Sequence, residues 1–237
     1  MNFLEKKKIL LIISGGIAAY KSLDLIRSLI KIQCEVKTIL TKGGSEFVTP
    51  LSIASLSKNK VYSDMYSVEN ESEMDHISLS RWADLILIAP ATSNIIAKMS
   101  QGISDDLATT VVQASNKCIF VCPAMNVRMW EHASNKQNLE KIKSYNYRII
   151  GPFNGEMACG EYGDGRMADI EYILKELDNF FKSKSSNKKY RAIVTAGPTQ
   201  EYIDPVRYIS NRSSGKQGYE IAKSLFNYGF DLSLIHI

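Results

Sequence analysis

The stretch Ile9-Leu10-Leu11-Ile12-Ile13-Ser14-Gly15-Gly16-Ile17-Ala18-Ala19-Tyr20-Lys21 decides how this chain folds. Ile9 to Ile13 is an unbroken aliphatic run of strand length, as expected for a strand buried on both faces. Ser14-Gly15-Gly16 ends the run. From Ile17 to Lys31 the apolar positions Ile17, Tyr20, Leu23, Ile26, Leu29 and Ile30 recur at three and four, the period of a helix with one buried face. A strand that turns through glycines into a helix leaves backbone N–H groups at the helix's positive end, where a phosphate can sit. On these residues alone a phosphate turn and a plain tight turn weigh about equally. The stretch has neither the G-x-G-x-x-G spacing of a dinucleotide site nor the Lys-Ser/Thr of a P-loop.

The same unit recurs along the chain. Val36 to Leu40 reads as a second strand ending at Thr41, Asp84 to Ala89 as a third running into Pro90-Ala91-Thr92-Ser93-Asn94, and Lys117 to Cys122 as a fourth running into Pro123-Ala124-Met125-Asn126-Val127-Arg128-Met129-Trp130. Tyr147 to Gly151 reads as a fifth strand. Strands alternating with helices predict an α/β fold, a Rossmann-like (flavodoxin-like) parallel sheet with helices on both faces, and ligands then gather at the carboxyl ends of the strands. Two hydroxyls at that edge, Ser14 and Thr41, suit an anionic ligand. His76 follows a polar excursion from Tyr62 to Asp75 and is placed just ahead of a strand, within reach of the same edge. After the fifth strand comes Gly155 to Met167, a glycine-punctuated mobile loop holding Cys159, Asp164 and Arg166, longer than a connection needs to be and suited to a lid.

Composition sets outer bounds. The chain has 237 residues, 45% hydrophobic and 23% charged, with a formal charge of +4, ordinary values for a soluble globular protein. The densest basic cluster, Lys182 to Lys189, reads as a solvated tether, so no nucleic-acid partner is expected. No stretch approaches the ~20 apolar residues of a membrane span, and Ser14-Gly15-Gly16 cuts short the signal-like start at Lys6 to Lys8. Cys34, Cys118, Cys122 and Cys159 lack metal-ligand spacing, so no metal site is expected and free thiols in a cytoplasmic protein fit best. Three segments follow: a domain over 1–181, a linker over 182–189, and from 190 to 237 the opening of a second α/β domain, in which Arg191 to Thr195 enters Ala196-Gly197-Pro198-Thr199.

Four motifs in order, Ser14 to Lys21, Pro90 to Asn94, Pro123 to Trp130, and Ala158-Cys159-Gly160 with Gly163 to Met167, resemble the flavin-containing cysteine decarboxylases over about residues 8 to 180. Within that family the chain is most similar to the branch of coenzyme A biosynthesis in which a decarboxylase half precedes a ligase half. The resemblance implies FMN, with Ser14, Gly15, Gly16, Ile17 and Thr41 at its phosphate and ribityl end, and Thr92, Ser93, Asn94, Ala124 and Met125 near the flavin. It implies decarboxylation of 4'-phosphopantothenoylcysteine to 4'-phosphopantetheine. An aliphatic carboxylate cannot lose CO₂ without an electron sink, so the thiol is first oxidised to a thioaldehyde and the enethiol is reduced afterwards. His76 matches the residue required for the early steps, Asn126 the carboxylate grip, and Cys159 the donor of the last proton; Met129, Arg166 and Met167 belong to the substrate clamp.

The resemblance also implies a homo-oligomer, trimers or assemblies of trimers with FMN between subunits. For residues 190 to 237 it implies the start of a ligase that uses CTP and Mg²⁺, with Asn211 handling an acyl-cytidylate. That half reads as incomplete at Ile237, so ligation by this chain alone is not expected. Two other readings stay open: a relative that decarboxylates a peptide's C-terminal cysteine, and a non-catalytic flavin-binding regulatory subunit.

Overall fold

In the computed structural model, residues 3–63, 75–185, 190–228 and 230–236 are described. They fall into two compact units, Met1–Leu177 and Asp178–Ile237.

The first unit is built on a six-stranded parallel sheet of β1 (Lys8–Ile13), β2 (Glu35–Leu40), β3 (Val61–Tyr62), β4 (Leu85–Ala91), β5 (Cys118–Pro123) and β6 (Arg148–Ile149). Their order is β3-β2-β1-β4-β5-β6. The chain winds outward from β1 in one direction and returns to start again at β4. The switch point therefore lies between β1 and β4, whose register runs Ile9↔Leu85 to Ile12↔Ile88. Helices connect the strands: α1 (Lys21–Lys31), α2 (Lys42–Ser45), α3 (Pro50–Ser57), α4 (Asp75–Trp82), α5 (Ser93–Gln101), α6 (Leu107–Gln113), α7 (Val127–Glu131) and α8 (Ala133–Ser144). Leu10, Ile12, Ile86 and Ile88 pack with Ile96, Met99, Val111 and Leu139 on one face of the sheet. The alternate residues Ile9, Leu11 and Ile13 are as fully buried and point to the opposite face, as a parallel sheet covered on both sides requires. Truncating one such residue, Ile12→Ala for example, would cost about 2–5 kcal/mol, a large share of a domain's net stability of about 5–15 kcal/mol.

Several segments differ from the expectation raised by periodicity. Ile17–Tyr20 is a 3₁₀ turn ahead of α1. Its tighter winding takes Ile17 and Tyr20 out of the buried stripe, and they are 58% and 55% exposed. The short edge strand β3 has too few residues to show a pattern. His76 lies in the first turn of helix α4 rather than ahead of a strand. The loop from Gly155 to Met167 contains an antiparallel hairpin, β7 (Phe153–Glu156) and β8 (Tyr162–Arg166). Finally, α9 (Ile170–Ser185) runs past Phe181 into the expected tether, and Lys184 stacks 4.7 Å over the Phe180 ring. Lysines in a last helical turn favour such an extension. Residues 186–189 of that tether lie outside the described residues, as does most of the polar excursion before His76.

The second unit pairs β9 (Arg191–Ala196) in parallel with β12 (Asp231–His236), with α10 (Lys216–Asn227) packed on both. A Cβ on Gly218 would meet Ala196 Cβ at 2.7 Å, so glycine lets α10 lie close to β9. A small hairpin, β10 (Gln200–Tyr202) with β11 (Tyr208–Ser210), precedes Asn211, which is exposed in the loop that follows.

Candidate active site

The ends of β1, β2 and β4 surround a cleft of about 830 Å³ lined by Ser14, Gly15, Gly16, Thr41, Thr92 and Asn94, among others. Ser14 is 3% exposed. Its Oγ donates to the Pro90 carbonyl at 2.7 Å and accepts the Thr92 N–H at 3.1 Å, while its own N–H reaches the Pro90 carbonyl at 3.4 Å. Both Ser14 donors are thus committed to bracing β1 against β4. Thr41 caps α2, accepting the Gly44 N–H at 3.1 Å and donating to the Ile13 carbonyl at 3.2 Å. Thr92 caps α5 and accepts the Ile95 N–H at 3.4 Å. The hydroxyls build the cradle. The donors left for an anion are backbone groups, because the N–H of Gly15 and of Gly16 finds no partner among the described residues.

Two glycine turns meet here. A Cβ on Gly15 would lie 3.1 Å from the Gly43 carbonyl oxygen, and Gly16 sits at φ 96°, where only glycine is unstrained. Sequence reasoning singled out Thr41 and passed over Lys42-Gly43-Gly44, although a glycine pair at the end of a strand was a usable signal. The far wall of the cleft was also missed. There Lys98 reaches Asp105 at 2.7 Å and Asp106 at 3.2 Å. Hydrogen bonding to Asp105 raises the Lys98 ammonium above the lysine range, although burial opposes it. Burial alone would raise Asp106, but hydrogen bonds from Thr109 and Lys98 hold its carboxyl below the usual range.

A second cleft, of about 500 Å³, shares Gly16 with the first and is lined by Ile17, Ala124, Met125, Asn126, Cys159, Arg166 and Met167, among others. Asn126 caps α7 through its Oδ1, which accepts the Met129 N–H at 2.9 Å, leaving its amide N–H groups without a partner among the described residues. Cys159 is exposed in the turn between β7 and β8. It is the exposed one of the four thiols, Cys118 being half-buried; burial pushes Cys34 up to about 12 and raises Cys122 as well, which removes both from thiolate chemistry. The hairpin docks on the loop before α7, the Met125 N–H donating to the Gly165 carbonyl at 3.0 Å. A Cβ on Gly165 would run into the Met125 carbonyl oxygen, and one on Gly163 would meet Val127 Cγ2 at 2.9 Å. Arg166 grips Asp169 with both terminal nitrogens, each at 3.1 Å.

The structure therefore brings Asn126, Cys159, Arg166, Met167, Ala124 and Met125 to one cleft, and Ser14, Gly15, Thr41, Thr92 and Asn94 to its neighbour. Met129 lines the larger cleft rather than the one that holds Asn126, although its N–H is bonded to the Asn126 side chain. Ser93 is half-buried beside Asn94 but lines neither cleft, and nor does half-buried His76. Asn211 belongs to the second unit. No cluster of three or more His, Cys, Asp or Glu that could hold a metal occurs among the described residues, and no described helix is long and apolar enough to cross a membrane.

The C-terminal domain family described as "DNA/pantothenate metabolism flavoprotein" matches residues 187–237. The Haemophilus influenzae coenzyme A biosynthesis bifunctional protein CoaBC is 44% identical over 232 residues, 98% of this chain and 58% of that protein, so the chain spans about three-fifths of that relative. Among solved structures, a mutant PPC decarboxylase complexed with pantothenoylaminoethenethiol superposes with a TM-score of 0.67 at 29% identity, covering 75% of this chain and 100% of that one. The FMN binding protein AtHal3 superposes with a TM-score of 0.65 at 32% identity, covering 76% and 98%. The Flavoprotein family matches residues 2–182, the whole sheet and both clefts, and to that family the chain belongs.

Proposed function

We propose that this chain decarboxylates 4'-phosphopantothenoylcysteine to 4'-phosphopantetheine, a step of coenzyme A biosynthesis, with FMN in the larger cleft. The observation that carries this reading is the meeting of Asn126 and Cys159 in a cleft that opens onto the glycine turn at Gly16. The turn suits the FMN phosphate, since its free N–H groups are backbone and Gly15 has no room for a Cβ. When bound, FMN would supply a reversible two-electron acceptor, the sink for oxidation of the substrate thiol and the source of the same electrons for reduction of the enethiol. The Asn126 amide, with Oδ1 already engaged, offers N–H groups to the carboxylate. Being neutral, it orients that group without holding its charge so firmly that loss of CO₂ is opposed. His76 acts as the base of the early steps. The Cys159 thiol gives the final proton to carbon, and the hairpin bearing it, closed by Arg166, excludes water.

A peptide C-terminal cysteine is the weaker candidate substrate, because residues 187–237 match a pantothenate-metabolism domain. A non-catalytic flavin binder would not need His76 and Cys159 together. We assign Asn211 to the acyl-cytidylate of a complete CTP- and Mg²⁺-dependent ligase unit, and place the protein in the cytoplasm, where its free thiols persist. His76 lines neither cleft of its own chain, and Ile17, Phe47 and Met129 at the cleft rims are exposed. Both facts support a trimer or assembly of trimers in which a neighbouring copy completes the site. The test is to incubate the FMN-loaded chain with 4'-phosphopantothenoylcysteine and follow CO₂ release together with the product mass. Substrate recovered unchanged from yellow, folded protein would overturn the proposal.

A further inference from the structure

The smaller cleft holds two cations, of which the chemistry above uses one and only as a clamp. Lys21, the first residue of α1, lines the cleft with Arg166. Its ammonium has no hydrogen bond or ion pair among the described residues, and burial together with the neighbouring Arg166 guanidinium holds it below the usual lysine range, with Asp169 opposing only in part. Glu156, the carboxylate lining this cleft, is exposed and is not among the charges acting on Lys21. Arg166 is held rigidly. Asp169 takes its two terminal nitrogens, and its stem lies on Gly155, where a Cβ would come within 3.1 Å of Nε. That Nε is buried and has no hydrogen-bond partner among the described residues.

Two like charges lining one cavity, only one of them paired with a carboxylate, are a cost to the protein until an anion binds. The substrate has two anionic ends. Cations on the carboxylate would stabilise the ground state over a transition state in which the charge leaves that group, and so would slow the reaction. The phosphate keeps its charge throughout. Binding it lowers the energy of ground state and transition state alike, so its effect falls on KM.

We infer that Lys21 and Arg166 form the subsite for the substrate's phosphate and set the preference for phosphorylated over dephosphorylated pantothenoylcysteine, an inference that rests on the decarboxylase reading above. Steady-state kinetics of the FMN-loaded chain on the two substrates tests it. Lys21→Gln raises KM for the phosphorylated substrate roughly ten- to hundredfold, leaves kcat near its original value, and does not move KM for pantothenoylcysteine. Lys21→Arg restores most of the preference. Equal losses on both substrates would place the pair on the carboxylate and overturn the inference. Calorimetric binding of 4'-phosphopantetheine against pantetheine separates the two proposals: a chain that turns over neither substrate sinks the decarboxylase reading, while equal binding of both ligands sinks the phosphate subsite.

Discussion

The backbone N–H of Met125 donates to the carbonyl of Gly165 at 3.0 Å, and through this one bond the cysteine-bearing hairpin is docked on the loop that carries Asn126. Gly165 lies at φ 144° with its missing Cβ aimed at the Met125 carbonyl. Gly165→Ala therefore has to push the hairpin away from Asn126. We expect decarboxylation to fall by roughly a hundredfold, as misplacing a catalytic group by about 1 Å can do, while FMN stays bound and the sheet melts within a few degrees of the parent. Wild-type kcat in this variant would show that the docking bond is dispensable.

Gly15→Asp presses a side chain against the Gly43 carbonyl, 3.1 Å from the first added carbon, and sets a carboxylate where an anion is to bind. The variant should purify folded but colourless. Full visible flavin absorbance in the purified variant would remove the phosphate from this turn.

Cys159→Ser keeps the size of the hairpin turn and replaces the thiol by a far weaker acid. On the proposed mechanism its proton is needed only after CO₂ has left, so the variant should still release CO₂ and accumulate a product two hydrogens lighter than 4'-phosphopantetheine. His76→Asn should release no CO₂ although it remains yellow. Mass spectrometry alongside CO₂ detection distinguishes the two, and normal product from Cys159→Ser would assign the proton elsewhere.

Asp106 sets an acid limb. Its folded pKa lies below the unfolded value of about 3.9 because hydrogen bonds from Thr109 and Lys98 outweigh burial, so the stability it contributes is present above that pH and is lost as pH falls through its lower folded value. Thermal melts between about pH 3 and 6 should show this loss, and Asp106→Asn, already less stable at pH 6, should show a shallower acid limb. Superimposable curves would mean the cap carries no net charge-dependent stability.

How much of this was legible in the sequence depends on where each signal lies. The central strands were readable because Ile9 to Ile13 and Leu85 to Ala89 are buried on both faces and so form continuous apolar runs. The helix after β1 was readable in kind but not in phase, since it opens with a 3₁₀ turn at Ile17–Tyr20, and Lys21, the residue after that turn, lines the site. The β7–β8 hairpin had no legible pattern. Its strand Tyr162-Gly163-Asp164-Gly165-Arg166 is half glycine and polar, and its conformation is imposed by Val127 and Met125 from elsewhere in the chain. The motif residues Asn126 and Cys159 could be named because of a family resemblance; periodicity alone would have left the first as a helix cap and the second as an incidental thiol.

The brace at Ser14 has a kinetic and entropic side. With its N–H and its hydroxyl both on the Pro90 carbonyl, the turn after β1 and the turn after β4 are one body before any ligand arrives. Ordering of the anion cradle is thus completed during folding, and little conformational entropy remains to be lost on association. Flavin capture should accordingly be a single fast phase, whose rate scales with flavin concentration and does not level off at an isomerisation step.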